Sequence, residues 1–403
     1  MKKIIIFLIA FSLGDFNINL QSVLDWSDGK IIDKKLNDSE ALFPIKNFIV
    51  NIEENESLII EASIVSKTFM SNQEIEGLSS ILDQSFKGHE KKNIEATGGE
   101  GLTYFVSKPM FMRGVRLIQV SVLPFQYDTS VKEYVLYNNI NLNVNILKNS
   151  NQRNQNNIPL SDEFNTLISS FVDNYEPREI TENIPPSILF ICGGNSATHS
   201  SMQSLIDWRK QMGYEVHVAE VSDIGNSTTA IKNYIQSSYV NWNNPPEYVV
   251  LVGDTDGSFS IPYFSTTWGA SDYDYTLLEG DDLFPEMFIG RISANGSSDL
   301  DNIINKTIAY EKATYLNFTG TDWYERAALN ADPSSSGNST IITNEYIEEI
   351  LETNGFEDIN TNYGDGNYAN WMQNELSEGI LYMNYRGYIG TSGFGAGQIN
   401  NAN

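Results

Sequence analysis

Hydrophobic positions follow two different rhythms along the chain, and the change between them divides it into two parts. In the first part, residues 140–146 alternate strictly between apolar and polar side chains, which is typical of a strand with one buried face. Further apolar-rich runs predict strands at residues 48–52, 58–65, 115–122 and 134–137. We therefore predict an all-β domain over residues 15–148, with a polar loop at residues 86–102.

Continuous apolar runs alternate with amphipathic segments from Ser187 onwards. The runs predict strands at residues 188–192, 214–221, 248–254, 286–292, 326–331 and 380–390. The segments between them predict helices at residues 202–212, 228–242, 299–315, 341–353 and 369–376. Buried strands that alternate with helices form mostly parallel sheets covered on both faces. We therefore predict a doubly wound α/β domain over residues 187–403, with ligands bound at the carboxyl ends of its strands.

Residues 149–186 have the composition of a linker between the two parts. The segment begins with a low-complexity run rich in Asn and Gln and ends in a stretch that contains proline. Between these, a short helix is predicted at residues 161–175.

The first 14 residues have the pattern of a signal peptide. Lys2 and Lys3 precede a short apolar run at residues 4–13, and Gly14 is small enough for cleavage nearby. This run is too short to cross a bilayer, and no later run is long enough. We therefore expect an exported protein without a membrane span, either secreted or at the cell surface.

A formal charge of −27, from 52 acidic and 25 basic residues, bears on the partners of the chain. Nucleic acids and anionic membranes bind basic surfaces, so neither is expected as a partner. The excess of carboxylates either serves solubility or includes ligands for Ca²⁺, which prefers oxygen donors. The one cysteine, Cys192, rules out an intramolecular disulfide and lies within an apolar strand, where thiols are usually inert.

Six acidic residues are candidate metal ligands. Five lie in a dense acidic loop within residues 271–282, where like charges are costly unless a cation neutralises them. The sixth ends a buried strand, although an aspartate there also initiates turns by bonding its own backbone. The loop lacks the spacing of an EF-hand, and a solvated acidic loop is the alternative. The predicted ligands of a structural Ca²⁺ are Asp254, Asp272, Asp274, Glu279, Asp281 and Asp282.

Asp332 follows a predicted strand and precedes a Ser/Gly loop and a helix, so its carboxylate either orients a catalytic base or caps the loop. The three histidines lie elsewhere in the sequence. His217 is inside a strand as a packing residue, His199 is in the loop after the first α/β strand, and His89 is in a polar loop of the β domain. None is close in sequence to Gly387, in the glycine-rich loop after the last strand.

Four stretches of the second part, taken together, resemble one family. They are LIDWRKQMGY at 205–214, PEYVVLVGD at 246–254, EGDDLFPEMFIGRI at 279–292 and MNYRG at 383–387. Their order and spacing resemble the gingipain-type cysteine peptidases, which have a caspase-like α/β fold. The stretch MRGVRLIQVSVLP at 112–124 is similarly close to the propeptide domain of that family. The resemblance covers nearly all of the chain after the predicted signal peptide.

The resemblance implies that the loop after the last strand supplies a catalytic histidine, and that a cysteine at the end of the next strand is the nucleophile. The histidine takes the thiol proton, and backbone N–H groups hold the oxyanion. In this chain Tyr388 stands at the histidine position beside Gly387, and the cysteine is expected beyond Asn403. With an ordinary pKa of about 10, against about 6.5 for histidine, tyrosine is a poor base near neutral pH, although it donates hydrogen bonds.

Two further positions follow from the same resemblance. The acidic third member of the site falls near Asp332, and the acidic residue that selects basic side chains in some relatives falls near Thr340, which is neutral. A preference for cleavage after Arg or Lys is therefore not expected. The catalytic candidates are thus Tyr388, Gly387 and Asp332, with Thr340 as the candidate for substrate binding and no cofactor beyond Ca²⁺.

Three hypotheses are consistent with these features. In the first, the chain is a fragment of a secreted gingipain-like cysteine endopeptidase that acts on proteins or peptides, and it is inactive alone because the nucleophile is missing. In the second, it is a non-catalytic, calcium-stabilised relative that binds protein or peptide in the same cleft. In the third, it is a cell-surface structural protein whose β domain stays attached for assembly, whereas a propeptide would be cut off within residues 149–186.

Overall fold

Two antiparallel sheets form the first part of the chain. The computed structural model describes residues 15–19, 46–54, 56–70, 90–96, 100–123, 125–128, 133–148, 158–177, 184–267, 269–314, 322–390 and 393–394. The strands of the first part are β1 (Asp15–Asn19), β2 (Lys46–Asn51), β3 (Glu56–Met70), β4 (Glu90–Ala96), β5 (Glu100–Val106), β6 (Met110–Met112), β7 (Val115–Leu123), β8 (Phe125–Asp128) and β9 (Glu133–Lys148). One sheet has the order β1–β9–β3 with β8 beside β9, and the other has the order β2–β7–β5–β4 with β6 beside β7.

Alternate residues of β9 face an apolar core to which both sheets contribute. Ile140, Leu142 and Val144 are at most 1% exposed, whereas Asn141 between them is exposed. Val120 of β7, in the other sheet, belongs to the same buried cluster. The alternation thus predicted the buried face correctly, and the prediction of an all-β first part is confirmed.

The prediction of a loop at residues 86–102 is wrong where the structure describes this segment. β4 and β5 pair antiparallel, from Glu90 opposite Val106 to Ala96 opposite Glu100. β4 lies at the edge of its sheet and is composed largely of Glu, Lys and Asn. An edge strand tolerates charged side chains, and for this reason its polar composition did not reveal it.

The helix predicted at residues 161–175 is present as α1 (Asp162–Phe171). Ser161 caps it by accepting a hydrogen bond from the backbone N–H of Phe164 at 3.1 Å. Phe164 is fully buried in an apolar cluster with residues of β6 and β7, so this helix packs on the β part. The other predicted features of the connection and of the N-terminus fall outside the described residues, at 1–14, 149–157 and 178–183.

Parallel strands alternate with helices from Ser187 onwards. The chain divides into two compact units, Met1–Asn305 and Lys306–Asn403, and each is described by itself. The α/β strands of the first unit are β10 (Ser187–Cys192), β11 (Glu215–Glu220), β12 (Tyr248–Val252), β13 (Phe264–Thr266), β14 (Gly269–Ser271) and β15 (Phe288–Ile292). The helices that begin there after α1 are α2 (Ser200–Gln211), α3 (Val221–Ile224), α4 (Thr228–Asn241) and α5 (Ser297–Glu311). Four strands form a parallel sheet in the order β11–β10–β12–β15, and all six residues of β10 are buried.

The second unit contains a three-stranded parallel sheet with β16 at its centre. The strands of this unit are β16 (Arg326–Ala331), β17 (Asp358–Tyr363), β18 (Tyr382–Arg386), β19 (Ile389–Gly390) and β20 (Gly393–Phe394). Its helices after α5 are α6 (Pro333–Ser336), α7 (Ser339–Thr353) and α8 (Tyr368–Glu378). β16 pairs in parallel with β17 on one side and β18 on the other. The prediction of an α/β part with mostly parallel sheets is confirmed, although β17, a polar edge strand, was not predicted.

Candidate active site

The register of β16 and β18 brings Asp332 and Gly387 together. Ala331 pairs with Arg386 at the carboxyl ends of these parallel strands, and the backbone N–H of Asp332 donates to the carbonyl of Arg386 at 2.9 Å. A Cβ atom added to Gly387 would lie only 2.8 Å from the Cβ of Asp332. Two of the three predicted catalytic residues are therefore neighbours at the edge of the sheet where α/β proteins bind ligands.

Asp332 is 3% exposed and caps the short helix α6. One carboxylate oxygen accepts the backbone N–H of Ser334 at 2.9 Å, and the hydroxyl of Tyr385 donates to the other at 3.5 Å. Burial pushes the pKa of Asp332 upwards, but hydrogen bonds from Ser334, Tyr368 and Tyr385 outweigh burial and hold the pKa below its ordinary value. Of the two predicted roles, capping is the one that the structure shows, and the carboxylate is an anion at neutral pH.

Two tyrosines that the sequence did not single out lie beside this carboxylate. The rings of Tyr368 and Tyr385 are 6.5 Å apart, edge to face. Burial and the charge of Asp332 raise the pKa of both tyrosines, so both hydroxyls stay protonated and can donate. The Tyr385 hydroxyl is also 3.2 Å from the backbone carbonyl oxygen of Tyr388, which connects Asp332 to the loop that carries Tyr388.

Tyr388, the residue at the predicted histidine position, is 60% exposed. Gly387 beside it leaves no space for a side chain, because a Cβ atom there would lie 2.5 Å from the Tyr385 hydroxyl oxygen. Glycine thus allows the loop to pass directly over Tyr385 and Asp332. A catalytic role for Tyr388 stays a prediction.

Thr340, the candidate for substrate binding, is fully buried in the first turn of α7. Its hydroxyl donates to the backbone carbonyl of Gly337 at 3.0 Å. The hydroxyl is therefore engaged in the start of the helix, and a contact of Thr340 with substrate stays a prediction.

Three asparagines, of which Asn330 and Asn344 are fully buried and Asn384 is half-buried, form a chain of amide hydrogen bonds within this unit. The amide nitrogen of Asn384 in β18 donates to Asn344 in α7 at 2.6 Å, and that of Asn344 donates to the backbone carbonyl of Asn330 at 3.0 Å. The amide nitrogen of Asn330 donates in turn to the carbonyl of Tyr368 at 3.2 Å. These bonds join β16 and β18 to the helices α7 and α8. In the sequence, the signal for them is an asparagine among the apolar residues of each strand, Asn330 in β16 and Asn384 in β18.

A second strand edge, in the first unit, is closed by tight glycine turns. Gly253 follows β12 with a φ of 152°, and a Cβ atom there would lie 1.7 Å from the carbonyl oxygen of Phe259. Asp254 comes next, and its carboxylate accepts the backbone N–H of Thr255 at 2.7 Å. The carboxylate thus bonds the backbone of the adjacent residue. A metal-binding role for Asp254 stays a prediction.

The described histidines and the cysteine lie outside the candidate active site. Cys192 is completely buried, and burial raises the pKa of its thiol to about 12, so the thiol is not a nucleophile at neutral pH. The ring centres of His217 and Trp242 are 4.3 Å apart. Nδ1 of His199 is 3.7 Å from a carboxylate oxygen of Asp301.

Three of the five candidate ligands in the acidic loop accept hydrogen bonds from donors of the protein itself. Asp272 receives two hydrogen bonds from the Arg291 guanidinium, at 2.8 and 2.7 Å. Asp282 accepts the backbone N–H of Phe111 at 2.8 Å. Glu279 accepts the hydroxyl of Tyr239 at 3.2 Å. These carboxylates, although close in sequence, therefore each bind a different donor.

Within the ranges given above, no three His, Cys, Asp or Glu side chains come together in a group that could hold a metal ion. The six predicted ligands thus do not form one shared calcium site in this arrangement. Calcium binding stays a prediction. The described helices also include none that is long and apolar enough to cross a membrane.

Two family models match the chain. The model of peptidase family C25 matches residues 181–403, which is more than half of the chain, and the model of the C25 propeptide matches residues 44–178. The chain belongs to peptidase family C25. The resemblance predicted from the four peptidase stretches and the propeptide stretch is thereby confirmed.

Curated members of this family are similar to the chain at moderate identity. Lys-gingipain W83 of Porphyromonas gingivalis is 28% identical over 315 residues, which cover 75% of this chain and 17% of that protein. Gingipain R2 of the same species is 29% identical over 317 residues, which cover 73% of this chain and 41% of that protein. The chain thus spans less than half of the length of these relatives.

Solved gingipain structures also match the chain in part. The crystal structure of the Arg-specific cysteine proteinase gingipain R is 30% identical with a TM-score of 0.45, covering 54% of this chain and 50% of that one. The complex of Porphyromonas gingivalis RgpB pro- and mature domains is 28% identical with a TM-score of 0.45, covering 52% and 49%. The family assignment rests on the family models and not on these superpositions.

Replacing Gly387 by alanine should destabilise the protein by about 1–3 kcal/mol, because the added methyl group overlaps Tyr385 and Asp332. Urea unfolding followed by tryptophan fluorescence measures this loss. Gly290→Ala is the matched control, since a Cβ atom there meets nothing within 4 Å. Equal stability of the two variants would show that the loop does not pass as closely over Asp332 as described.

Calcium binding can be tested by thermal unfolding with and without excess EDTA. A ligand that binds only the folded chain raises the melting temperature, so a calcium site predicts a fall on chelation that Ca²⁺ reverses. Because Arg291 and backbone N–H groups already bind some of these carboxylates, an unchanged melt is the alternative outcome, and it would count against the predicted site. A reversible fall would establish the site and would contradict this arrangement of donors.

Glu286 should make stability decrease with rising pH. The carboxyl is buried, accepts the backbone N–H groups of Leu278 and Glu279, and has a pKa raised by burial to about 8. Between its ordinary pKa of 4.5 and about 8 the unfolded chain has lost this proton while the folded chain keeps it, so folding weakens across that window.

Glu286→Gln mimics the protonated acid. The free energy of unfolding of this variant, relative to that of the original chain, should increase as the pH rises from about 5 to about 9. Urea titrations at several pH values measure the gain. Glu352→Gln, an exposed position on α7, serves as control. Parallel pH curves for Glu286→Gln and the original chain would show that Glu286 is ionised throughout.

Proposed function

We propose that the protein is a secreted gingipain-like cysteine endopeptidase. Its membership of a peptidase family implies protein substrates. The observation that carries the proposal is the juxtaposition of Asp332 with Gly387 and the following loop, within the residues that match family C25. Export is supported by the charged and apolar pattern of residues 1–14.

Asp332 and Tyr385 act on the substrate only through the loop. The buried anion fixes the Tyr385 hydroxyl, and that hydroxyl reaches the backbone carbonyl of Tyr388. The exposed phenol of Tyr388 is thereby held at the strand edge. The hydroxyl of Tyr388 is a hydrogen-bond donor, and we propose that it donates to a substrate oxygen rather than takes a proton from a thiol.

The nucleophile of this proposal is not Cys192. Its thiol is completely buried and has a pKa of about 12, so neither access nor ionisation permits attack on a peptide.

A non-catalytic binding module is the second candidate function, and Tyr388 is the observation that favours it. A Cys-His peptidase relies on an imidazole nitrogen to take the thiol proton, and the neutral phenol of a tyrosine offers no comparable basic atom. The same strand edge would then bind an extended segment of protein without cleaving it.

Peptidase activity is expected of the protein produced from its natural gene. This product should hydrolyse casein in the presence of a reducing agent and lose the activity on alkylation with iodoacetamide. The polypeptide of residues 1–403 should show no thiol-dependent hydrolysis, because its single thiol is buried. Hydrolysis by residues 1–403 that Cys192→Ser abolishes would contradict the assignment of Cys192 as inert.

Tyr388→Phe in the active product should lower kcat by about 100-fold while leaving the thermal unfolding unchanged. Tyr346→Phe is a suitable control, since Tyr346 on α7 is 63% exposed and similar in accessibility. An unchanged kcat would remove Tyr388 from the mechanism. A folded complete product without any hydrolysis would instead support the binding module.

A further inference from the structure

An imidazole and a carboxylate lie side by side on β11, the edge strand of the four-stranded parallel sheet. Residues i and i+2 of a strand point to the same face, so Glu215 and His217 share one face of β11. Nε2 of His217 is 3.1 Å from a carboxylate oxygen of Glu215. Both side chains are only half-buried, so solutes can reach them.

These two side chains line a pocket of about 510 Å³ together with the segment that follows α4. The other lining residues are Asn241, Trp242, Asn243 and Asn244. The lining thus offers one imidazole, one carboxylate and three amides, and none of these residues is a Lys or Arg that would repel a cation. Imidazole nitrogens and carboxylate oxygens are common protein ligands of divalent metal ions.

The carboxylate of Glu215 is oriented by a residue on the opposite side of the pocket. The amide nitrogen of Asn244 donates to the second carboxylate oxygen at 2.7 Å and to the backbone carbonyl of Pro185 at 3.0 Å. The first oxygen is therefore left facing His217. Hydrogen bonds of this kind, made to the part of a ligand that does not touch the metal, raise metal affinity in known sites.

Aromatic packing orients the imidazole. The ring planes of His217 and Trp242 are tilted by 41°, with their centres 4.3 Å apart. Trp242 in turn meets the ring of Tyr234 edge to face at 6.4 Å and packs against the apolar core of the sheet. A ring that is already held by packing loses less side-chain entropy when it binds a ligand.

The separation of the two donor atoms fits a shared zinc ion. With Zn–N and Zn–O bonds of about 2.0–2.1 Å, neighbouring tetrahedral ligands are about 3.3 Å apart. The observed 3.1 Å between Nε2 and the carboxylate oxygen is close to this value. Ca²⁺ and Mg²⁺ bind oxygen donors, so a site that contains an imidazole favours Zn²⁺ over either ion.

Glu215 and His217 supply two of the four ligands that zinc takes, and the pocket provides the others. The amide nitrogen of Asn241 donates to the backbone carbonyl of Ser237 at 2.9 Å, which leaves its amide oxygen as the atom for a third ligand. The volume of the pocket leaves room for water in the fourth position.

The pocket lies at the amino ends of the strands. Glu215 begins β11, and Asn241 ends α4 shortly before β12. Gly253 follows β12 at the other end of the sheet. An ion in this pocket would therefore fasten the connection between α4 and β12 to the edge strand, away from the edge where α/β proteins bind ligands.

We propose that Glu215 and His217 form a zinc site on β11, completed by Asn241 and water and oriented by Asn244 and Trp242. The ion is a structural crosslink between the edge strand and the α4–β12 connection. The proposal holds whether or not the protein hydrolyses peptides, so its failure is separate from that of the proposed function.

The test is a calorimetric titration of the chain of residues 1–403 with Zn²⁺, in a buffer without chelators or phosphate. Saturable binding with a Kd below about 0.1 mM is expected. His217→Ala and Glu215→Gln should each abolish saturable binding up to about 1 mM. Asn244→Ala, which removes only the orienting hydrogen bond, should weaken binding by about 10-fold.

Two matched controls distinguish this pocket from other histidines and carboxylates. His199 also lies near a carboxylate, 3.7 Å from that of Asp301, but it does not line the pocket. Glu220 lies on the same strand as Glu215, at its other end. His199→Ala and Glu220→Gln should both keep the affinity of the original chain for Zn²⁺.

NMR of the imidazole groups separates direct ligation from an indirect effect on folding. The chain has three histidines, so their ring signals can be assigned with single His→Ala variants. Zn²⁺ should shift the ring signals of His217 and leave those of His199 in place. Circular dichroism checks folding, and if His217→Ala does not fold, Glu215→Gln and the ring signals of the original chain decide.

Three outcomes would overturn the proposal. The first is the absence of saturable Zn²⁺ binding by the original chain up to about 1 mM. The second is unchanged affinity in folded His217→Ala or Glu215→Gln, which would place the ion elsewhere. The third is a set of His217 ring signals that does not move when the chain is saturated with Zn²⁺.

Discussion

A buried charge or polar group must find hydrogen-bond partners, and this constraint governs the sites of the described protein. The guanidinium of Arg113 is surrounded by backbone carbonyls, and Arg291 in turn takes up Asp272. Asp332 is satisfied by a helix cap and by tyrosine hydroxyls. These groups lie in turns or beside strand ends, where sheet pairing leaves backbone donors and acceptors available. A chain with a formal charge of −27 can therefore bury carboxylates without collecting them into one cluster.

The acidic loop shows how the same residues serve a different purpose once the chain is folded. In the sequence, its carboxylates are close neighbours and suggest a cation. In the structure, Asp272 is bound by an arginine of β15 and Asp282 by a backbone N–H of the β6–β7 hairpin. Backbone N–H groups and a guanidinium supply the positive partners that a metal ion would otherwise provide. The loop is thereby part of the interface between the β part and the α/β part.

The candidate active site follows from the geometry of a small parallel sheet. Because β16 and β18 run in the same direction, their carboxyl ends meet, and Asp332 and Gly387 become neighbours. Tyr385 then connects the buried anion to the loop of Tyr388. The chain belongs to peptidase family C25, and this edge is its candidate active site. That Tyr388 stands where the family has its histidine stays a prediction from the resemblance.

The sequence alone determined the fold class of the β and α/β parts, many of their strands and helices, and the family. Periodicity reports which face of a segment is buried, and that information is local, as in residues 140–146 of β9. It failed for β4 and β17, because polar edge strands bury too little to show a pattern. Only the tertiary structure decided which polar groups meet: Tyr385 with Asp332, and Arg113 with the carbonyls before β12 and β15. Such pairs depend on strand register and on packing between segments far apart in the chain, which no local pattern encodes.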